Sequence, residues 1–349
     1  MAQHPITRAT AKSFGPFHDV DIELSPGLNV VVGDNATGKS QLLKLLYSCT
    51  KSLKDARSLT KKDLNGDLAS KLDGVFRPDS LGRLTRRVKG KARAEISVKY
   101  AQIGDELRFG FSSHAKTEVG VASIPNRELD DEPVFLPSHE LLSLGSTFIA
   151  LYDAYDTGFE ETWRDTADLL QRPALRGQRG AEASALLQPF SELLQGGSVV
   201  ESDGRFSLRQ PGIGNLEAPL LAEGHRKLAM IVRLIANGVL LEGGYLFWDE
   251  PEANLNPASQ RAVAHALVHL AQSGAQIVVA THSMFLLREL QMNGETLSPR
   301  YIGLSRRQED DEQIAVAEVV AQVTDDLDNL EYVAALEAEA EQAGRYLAW

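Results

Sequence analysis

Gly33-Asp34-Asn35-Ala36-Thr37-Gly38-Lys39-Ser40 follows the apolar run Leu28 to Val32 and leads into Gln41 to Tyr47. The run reads as a buried strand and the segment after the octet as a helix, so the octet has the GxxxxGK[ST] spacing in a strand–loop–helix setting. Glycines at both ends let the backbone curl until successive N–H groups point inward. The helix that follows adds its positive end, and such a loop cradles phosphate. Lys39 is placed to reach the outer phosphates and Ser40 to ligate Mg²⁺.

The chain has 349 residues, enough for a substantial core, and 43% hydrophobic and 24% charged content puts it among ordinary globular proteins. The most apolar helical stretch, Leu228 to Leu241, is interrupted by Arg233, and no run approaches the length of a membrane span. No basic flank with an apolar core marks the N-terminus as a secretion signal. A lone cysteine, Cys49, forbids an internal disulfide and suits a reducing cytoplasm, the expected location. The net charge of −12 is concentrated: residues 308–349 hold 12 acidic groups and one arginine, leaving the body nearly neutral. That acidic segment reads as a solvated helical face or as a docking surface for a basic partner. A second charged stretch, Arg83, Arg86, Arg87, Lys89, Lys91 and Arg93, reads as an exposed surface or as a phosphate-backbone contact.

Short strands are expected at Ile6 to Thr10, Val20 to Leu24 and Leu28 to Val32, followed by the loop helix and a weakly periodic basic region, Lys51 to Lys91. Alternation at Ala94 to Tyr100 and Glu106 to Phe111 predicts an antiparallel lobe. Val134 to Leu136 reads as a buried strand, Glu140 to Leu194 as mostly helical, and Ser198 to Arg209 as a hairpin turning at Asp203-Gly204. Helix, strand, helix, strand, helix then follow at Glu223–Asn237, Tyr245–Trp248, Pro257–Ser273, Gln276–Ala280 and Ser283–Met292. Two closing strands fall near Tyr301 and Ile314, before an acidic helix. This order predicts an α/β fold with a mostly parallel sheet flanked by helices.

A second cluster carries chemistry. Leu246-Phe247-Trp248-Asp249-Glu250-Pro251 is an apolar strand ending in two carboxylates. On a parallel sheet Asp249 comes beside the phosphate loop, able to hold a Mg²⁺ shell, and Glu250 can accept a proton from an attacking water. Gln276 to Ser283 is another buried strand, with His282 at its end where a group can sense the outermost phosphate.

Phosphate loop, then Asp249-Glu250-Pro251-Glu252-Ala253-Asn254-Leu255-Asn256-Pro257, then Thr281-His282-Ser283 resembles the motif order of ABC-type ATPases. Lys12-Ser13-Phe14 and Pro26-Gly27-Leu28-Asn29 resemble the opening of the branch that includes SMC, RecF and OLD-nuclease proteins, and the small AAA-labelled ATPases of prokaryotic defence operons. The resemblance implies ATP and Mg²⁺ as ligands. Gly33, Asp34, Asn35, Ala36, Thr37, Gly38, Lys39, Ser40 and Gln41 would hold nucleotide, and Ser40 and Asp249 metal. Glu250 would be the base, His282 the switch, and Lys39 a catalytic cation. Asn254 falls in the D-loop, along the family's dimer contact.

Two motifs depart from the pattern. Where the family has Leu-Ser-Gly-Gly, this chain reads Leu221-Ala222-Glu223-Gly224-His225-Arg226-Lys227, so Glu223 and Gly224 are the candidates for closing a partner's ATP site, with His225, Arg226 or Lys227 offsetting the acid. No Q-loop glutamine is evident; Leu136-Pro137-Ser138-His139-Glu140 takes that place, with Ser138 or His139 as substitutes. The expected layout is one ABC-type ATPase domain over 1–349, with a basic and antiparallel β lobe at 51–133, a helical insertion at 137–220 and an acidic segment at 308–349. The resemblance implies an ATPase that dimerises, or forms a higher oligomer, around ATP and switches a separate effector, in anti-phage defence or toxin control. Nucleic acid is a candidate partner and membrane is not. A RecF-like DNA-repair ATPase is the alternative; a transporter ATPase and a non-hydrolysing scaffold are weaker readings.

Overall fold

A computed structural model describes residues 2–87, 92–241, 244–307, 318–331, 341–342 and 344–347. Lys89, Lys91, the strand expected at Ile314, the acids Glu309 to Glu312, Glu337 and Glu339 lie outside them.

In chain order the elements are β1 (Ile6–Phe14), β2 (Phe17–Glu23), β3 (Leu28–Gly33), α1 (Lys39–Asp55), α2 (Lys61–Phe76), β4 (Arg93–Tyr100), β5 (Leu107–Ser112), β6 (Gly120–Ser123) and β7 (Pro133–Leu136). Then come α3 (Gly145–Ala154), α4 (Glu161–Gln171), α5 (Gly177–Leu193), β8 (Ser198–Ser202), β9 (Arg205–Gln210), β10 (Gly214–Glu217) and α6 (Glu223–Ala236). The chain continues with β11 (Tyr245–Asp249), α7 (Pro257–Gln272), β12 (Gln276–Thr281), α8 (Met284–Gly294), β13 (Arg300–Arg307) and β14 (Glu318–Thr324).

Among the described residues, eleven strands form one sheet in the order β6-β5-β4-β1-β2-β14-β13-β3-β12-β11-β7. From β13 to β7 neighbouring strands run parallel. From β6 to β2 they run antiparallel, so the expected antiparallel lobe continues the same sheet. Strands β8 to β10 form a small separate sheet inside the insertion.

The parallel strands read as unbroken apolar runs because both faces are covered. Alternate residues part to opposite cores: Ile277 and Val279 of β12 join α6, α7 and α8, whereas Val278 and Ala280 join α1 and α2. Helix α2 lies in the region read as weakly periodic, yet Leu64, Leu68, Leu72 and Val75 repeat on one buried face and Thr60 caps its start by accepting from the Asp63 amide. Cys49 is fully buried on α1, where burial pushes its thiol up in pKa.

Register sets the site. Asp249 pairs with Ala280, which pairs with Val31, so β11, β12 and β3 end together. Their carboxyl ends open on one crevice, where an open α/β sheet receives ligands. The insertion is fixed to α1 from outside: Lys44 meets Glu160 at 2.5 Å, and the Tyr47 hydroxyl donates to Asp165 at 2.6 Å. Lys71 of α2 adds Glu161 at 2.6 Å.

Candidate active site

The loop between β3 and α1 is held by its own side chains. Thr37 Oγ1 donates to Asp34 O at 2.9 Å, and the Lys39 ammonium donates to Gly33 O at 2.7 Å and Asp34 O at 3.0 Å. Asp34, Asn35 and Ala36 are exposed, while Thr37 and Lys39 are buried beneath them. Gly38 adopts φ +98°, and a Cβ there would stand 2.6 Å from Pro16 Cγ and 2.8 Å from Phe17 Cζ. The β1–β2 turn thus closes over the loop, and only glycine meets both demands. Gln41 points at that turn too, its Oε1 against Gly15.

At the end of β11, Asp249 is mostly buried and its Oδ1 has no hydrogen-bond partner among the described residues. Burial raises its pKa, the Ser40 hydroxyl beside it lowers it, and the charge of Glu250 raises it again. Burial lowers the pKa of Lys39, opposed by Glu250, Asp249, Glu252 and Asp34. Lysine, serine and the two acids, distant in sequence, therefore share one electrostatic environment. Oxygen donors from Ser40 and Asp249 suit a hard cation such as Mg²⁺. Among the described residues no group of three or more His, Cys, Asp or Glu forms a metal cage, so such a cation takes its other ligands from water or phosphate.

Glu250 has φ +48°, rare for a side chain with a Cβ, and its amide donates to Ala280 O at 2.9 Å. Its carboxylate is 3.5 Å from His282 Nδ1. His282 is also 3.4 Å from Glu252 Oε1, so its ring lies within reach of both carboxylates.

Sequence reading left Glu252, Lys227, Glu140 and Arg306 without roles, or misread them. The buried Glu252 carboxylate accepts from Thr281 Oγ1 at 2.7 Å and from the amides of His282 at 3.0 Å and Ser283 at 3.2 Å. It thereby welds the turn after β11 to the loop after β12. Arg306 of β13 donates to Ala36 O at 2.9 Å, steadying the loop tip. Nothing local signals Arg306, whereas Glu252 lies within the quoted acidic motif.

Glu223 and Gly224 have other neighbours. Glu223 Oε1 is 3.9 Å from His139 Nδ1, and a Cβ on Gly224 would meet Asn254 O at 2.6 Å. The start of α6 thus packs on the turn at Asn254 of its own chain. Arg226 and Lys227, expected to offset Glu223, make their hydrogen bonds to other groups. Arg226 Nε donates to Glu140 at 2.6 Å and Nη1 to Leu221 O at 2.6 Å, and Lys227 is buried on backbone carbonyls. In the basic stretch, Arg86 is also buried, its Nη1 donating to Pro16 O at 3.1 Å, so it supports the loop-covering turn instead of a surface.

A parallel P-loop core extended by an antiparallel half-sheet is the architecture of an ABC-type ATPase of the SMC and RecF-like branch. Residues 28–288 match the family described as "AAA domain, putative AbiEii toxin, Type IV TA system", and the chain belongs to that family. It is 31% identical over 96 residues to the DNA replication and repair protein RecF of Enterobacter sp. (strain 638), and equally to that of Salmonella agona (strain SL483). Each match covers 26% of this chain and spans 27% of the relative's length. Among solved structures, an Smc head bound to the C-winged helix domain of ScpA superposes with a TM-score of 0.55 at 15% identity, covering 91% of this chain and 97% of that one. An Smc head with an extended coiled coil, bound to the C-terminal domain of ScpA derived from Pyrococcus furiosus, gives 0.53 at 12% identity, covering 92% and 96%.

Proposed function

We propose that the chain binds Mg²⁺-ATP between residues 33–41 and the Asp249–Glu250 strand end and hydrolyses it. The observation that carries this reading is the shared end of β3, β12 and β11, with Lys39, Ser40, Asp249, Glu250 and His282 around one crevice. The amides of the loop and the Lys39 ammonium bind the β- and γ-phosphates. Ser40 and Asp249 would hold Mg²⁺, which would supply neutralisation of charge on the phosphate oxygens. Glu250 takes a proton from water as the water oxygen bonds to the γ-phosphorus. The bond from that phosphorus to the bridging oxygen breaks, leaving ADP and phosphate. His282, 3.5 Å from Glu250, senses the γ-phosphate and its loss.

Two copies enclose two nucleotides, the start of α6 near Glu223 and Gly224 facing the other copy's phosphates, with Asn254 at the contact. The pair is a switch for a separate effector in toxin control or anti-phage defence; the family's description, which names a toxin and a type IV TA system, supports the toxin-control setting. Among the described residues no helix is long and apolar enough to cross a membrane. Replacing Glu250 by Gln is expected to suppress phosphate release and leave an ATP-dependent dimer by light scattering. Parental turnover in that variant would refute the assignment.

A RecF-like DNA-binding reading has one observation in its favour, the identity to RecF over 96 residues. It predicts hydrolysis stimulated by DNA and DNA affinity that falls steeply with salt. DNA-independent turnover would remove it.

A further inference from the structure

Lys227 is 1% exposed, on the turn of α6 that follows Gly224. Its neighbours along the helix, Leu228 to Val232, are apolar and buried, so an aliphatic side chain would fill the place at less cost than a cation. Its partners are three backbone carbonyls from two loops: Glu250 O at 2.7 Å, Ser138 O at 3.0 Å and Ala253 O at 3.3 Å. An ammonium has three protons, and each has an acceptor.

The carbonyl at 2.7 Å belongs to a residue in the left-handed region, as is Asn254 in the same turn. Glu250 holds φ +48°, a conformation that persists only where the surroundings over-determine it. Its amide is fixed by Ala280 O on β12, and its carbonyl accepts from Lys227 at 2.7 Å and from the Ala253 amide at 3.1 Å, so the residue is clamped on both sides. Arg226 makes the neighbouring tie, to Glu140, and Gly224 presses on Asn254 O. The start of α6, the loop 138–140 and the turn 250–254 are thereby joined through adjacent residues.

We infer that Lys227 is a positioning residue for hydrolysis: its ammonium sets the backbone of Glu250, and so the aim of the base, and makes that aim follow the start of α6. A shift of α6, such as a second copy would impose there, is carried to Glu250 and Ser138 together. The inference rests on Glu250 being the base. The hydrogen bonds of Lys227 go to Ser138, Glu250 and Ala253, none of them in residues 33–41.

The test compares Lys227→Met and Lys227→Gln with the parent and with Glu250→Gln. It uses calorimetry of ATP binding and the kcat and KM of phosphate release. A misplacement of order 1 Å costs about 100-fold in rate. Lys227→Met is therefore expected to lose about 100-fold in kcat while ATP affinity stays within about 3-fold of parent. Lys227→Gln, which keeps two N–H donors, recovers part of the rate. A parental kcat in either variant overturns the inference, as does a fall in ATP affinity matching the fall in rate, the mark of general loosening. Should the methionine variant fail to fold, the glutamine variant decides by the same criteria. Turnover in Glu250→Gln would instead strike at the reading of Glu250 itself.

Discussion

Replacing Glu252 tests the connection between the acidic turn and the histidine loop. Its Oε1 accepts three hydrogen bonds, from Thr281 Oγ1 and from the His282 and Ser283 amides. The Ser283 amide has a second acceptor, Thr281 Oγ1 at 3.0 Å, so alanine at position 252 leaves two donors unpaired. A buried orphan donor costs about 1–3 kcal/mol, and the His282 amide, close to solvent, falls at the lower end. Against this, Glu252 Oε2 is buried with no partner among the described residues, so deleting the carboxylate also relieves a cost. The balance is a loss of about 2 kcal/mol for Glu252→Ala. Glu252→Gln keeps the acceptor oxygen and loses less than half as much. Urea unfolding followed by circular dichroism reads both as shifts in midpoint at unchanged slope. An alanine variant within about 0.5 kcal/mol of the parent would refute the reasoning, since that is the range of an unconstrained surface change.

Gly38→Ala is expected to destabilise by about 2–5 kcal/mol, from positive φ plus overpacking on Pro16 and Phe17. Gly66→Ala, inside α2 with nothing within 4 Å, should gain about 0.5–1 kcal/mol; the same urea series checks both. Burial lowers the Lys227 pKa from 10.5 to about 8. Between those values the unfolded chain holds a proton that the folded chain releases, so stability rises with pH across the window and is lost again as pH falls through 8. Lys227→Met should flatten that slope by about 3 kcal/mol in total, and an unchanged profile would count against it.

The site was legible where its signal is local. Loop residues 33–40 form one unbroken stretch with strand and helix signals on either side, and Asp249-Glu250 ends an apolar run too short to be a helix. The mixed sheet was visible in outline, but its continuity from β6 to β7 was not, because the order of strands is set by long-range pairing. Helix α2 was legible in its leucine spacing and obscured by the surrounding lysines and aspartates. Side chains buried against pattern were read wrongly. Arg86 and Lys227, both buried, and the half-buried Arg226 look like surface cations by residue type, yet each is held inward by a carbonyl or carboxylate distant in sequence. Burial of a charge depends on acceptors that only the folded chain brings together.

Calorimetric titration of Mg²⁺-ATP into the parent and into Lys39→Ala tests the nucleotide site most directly. The parent should bind with measurable heat, and the variant, having lost the ammonium set in loop 33–40, at least 10-fold more weakly. Equal affinity in the two proteins would contradict the assignment of that loop to the phosphates.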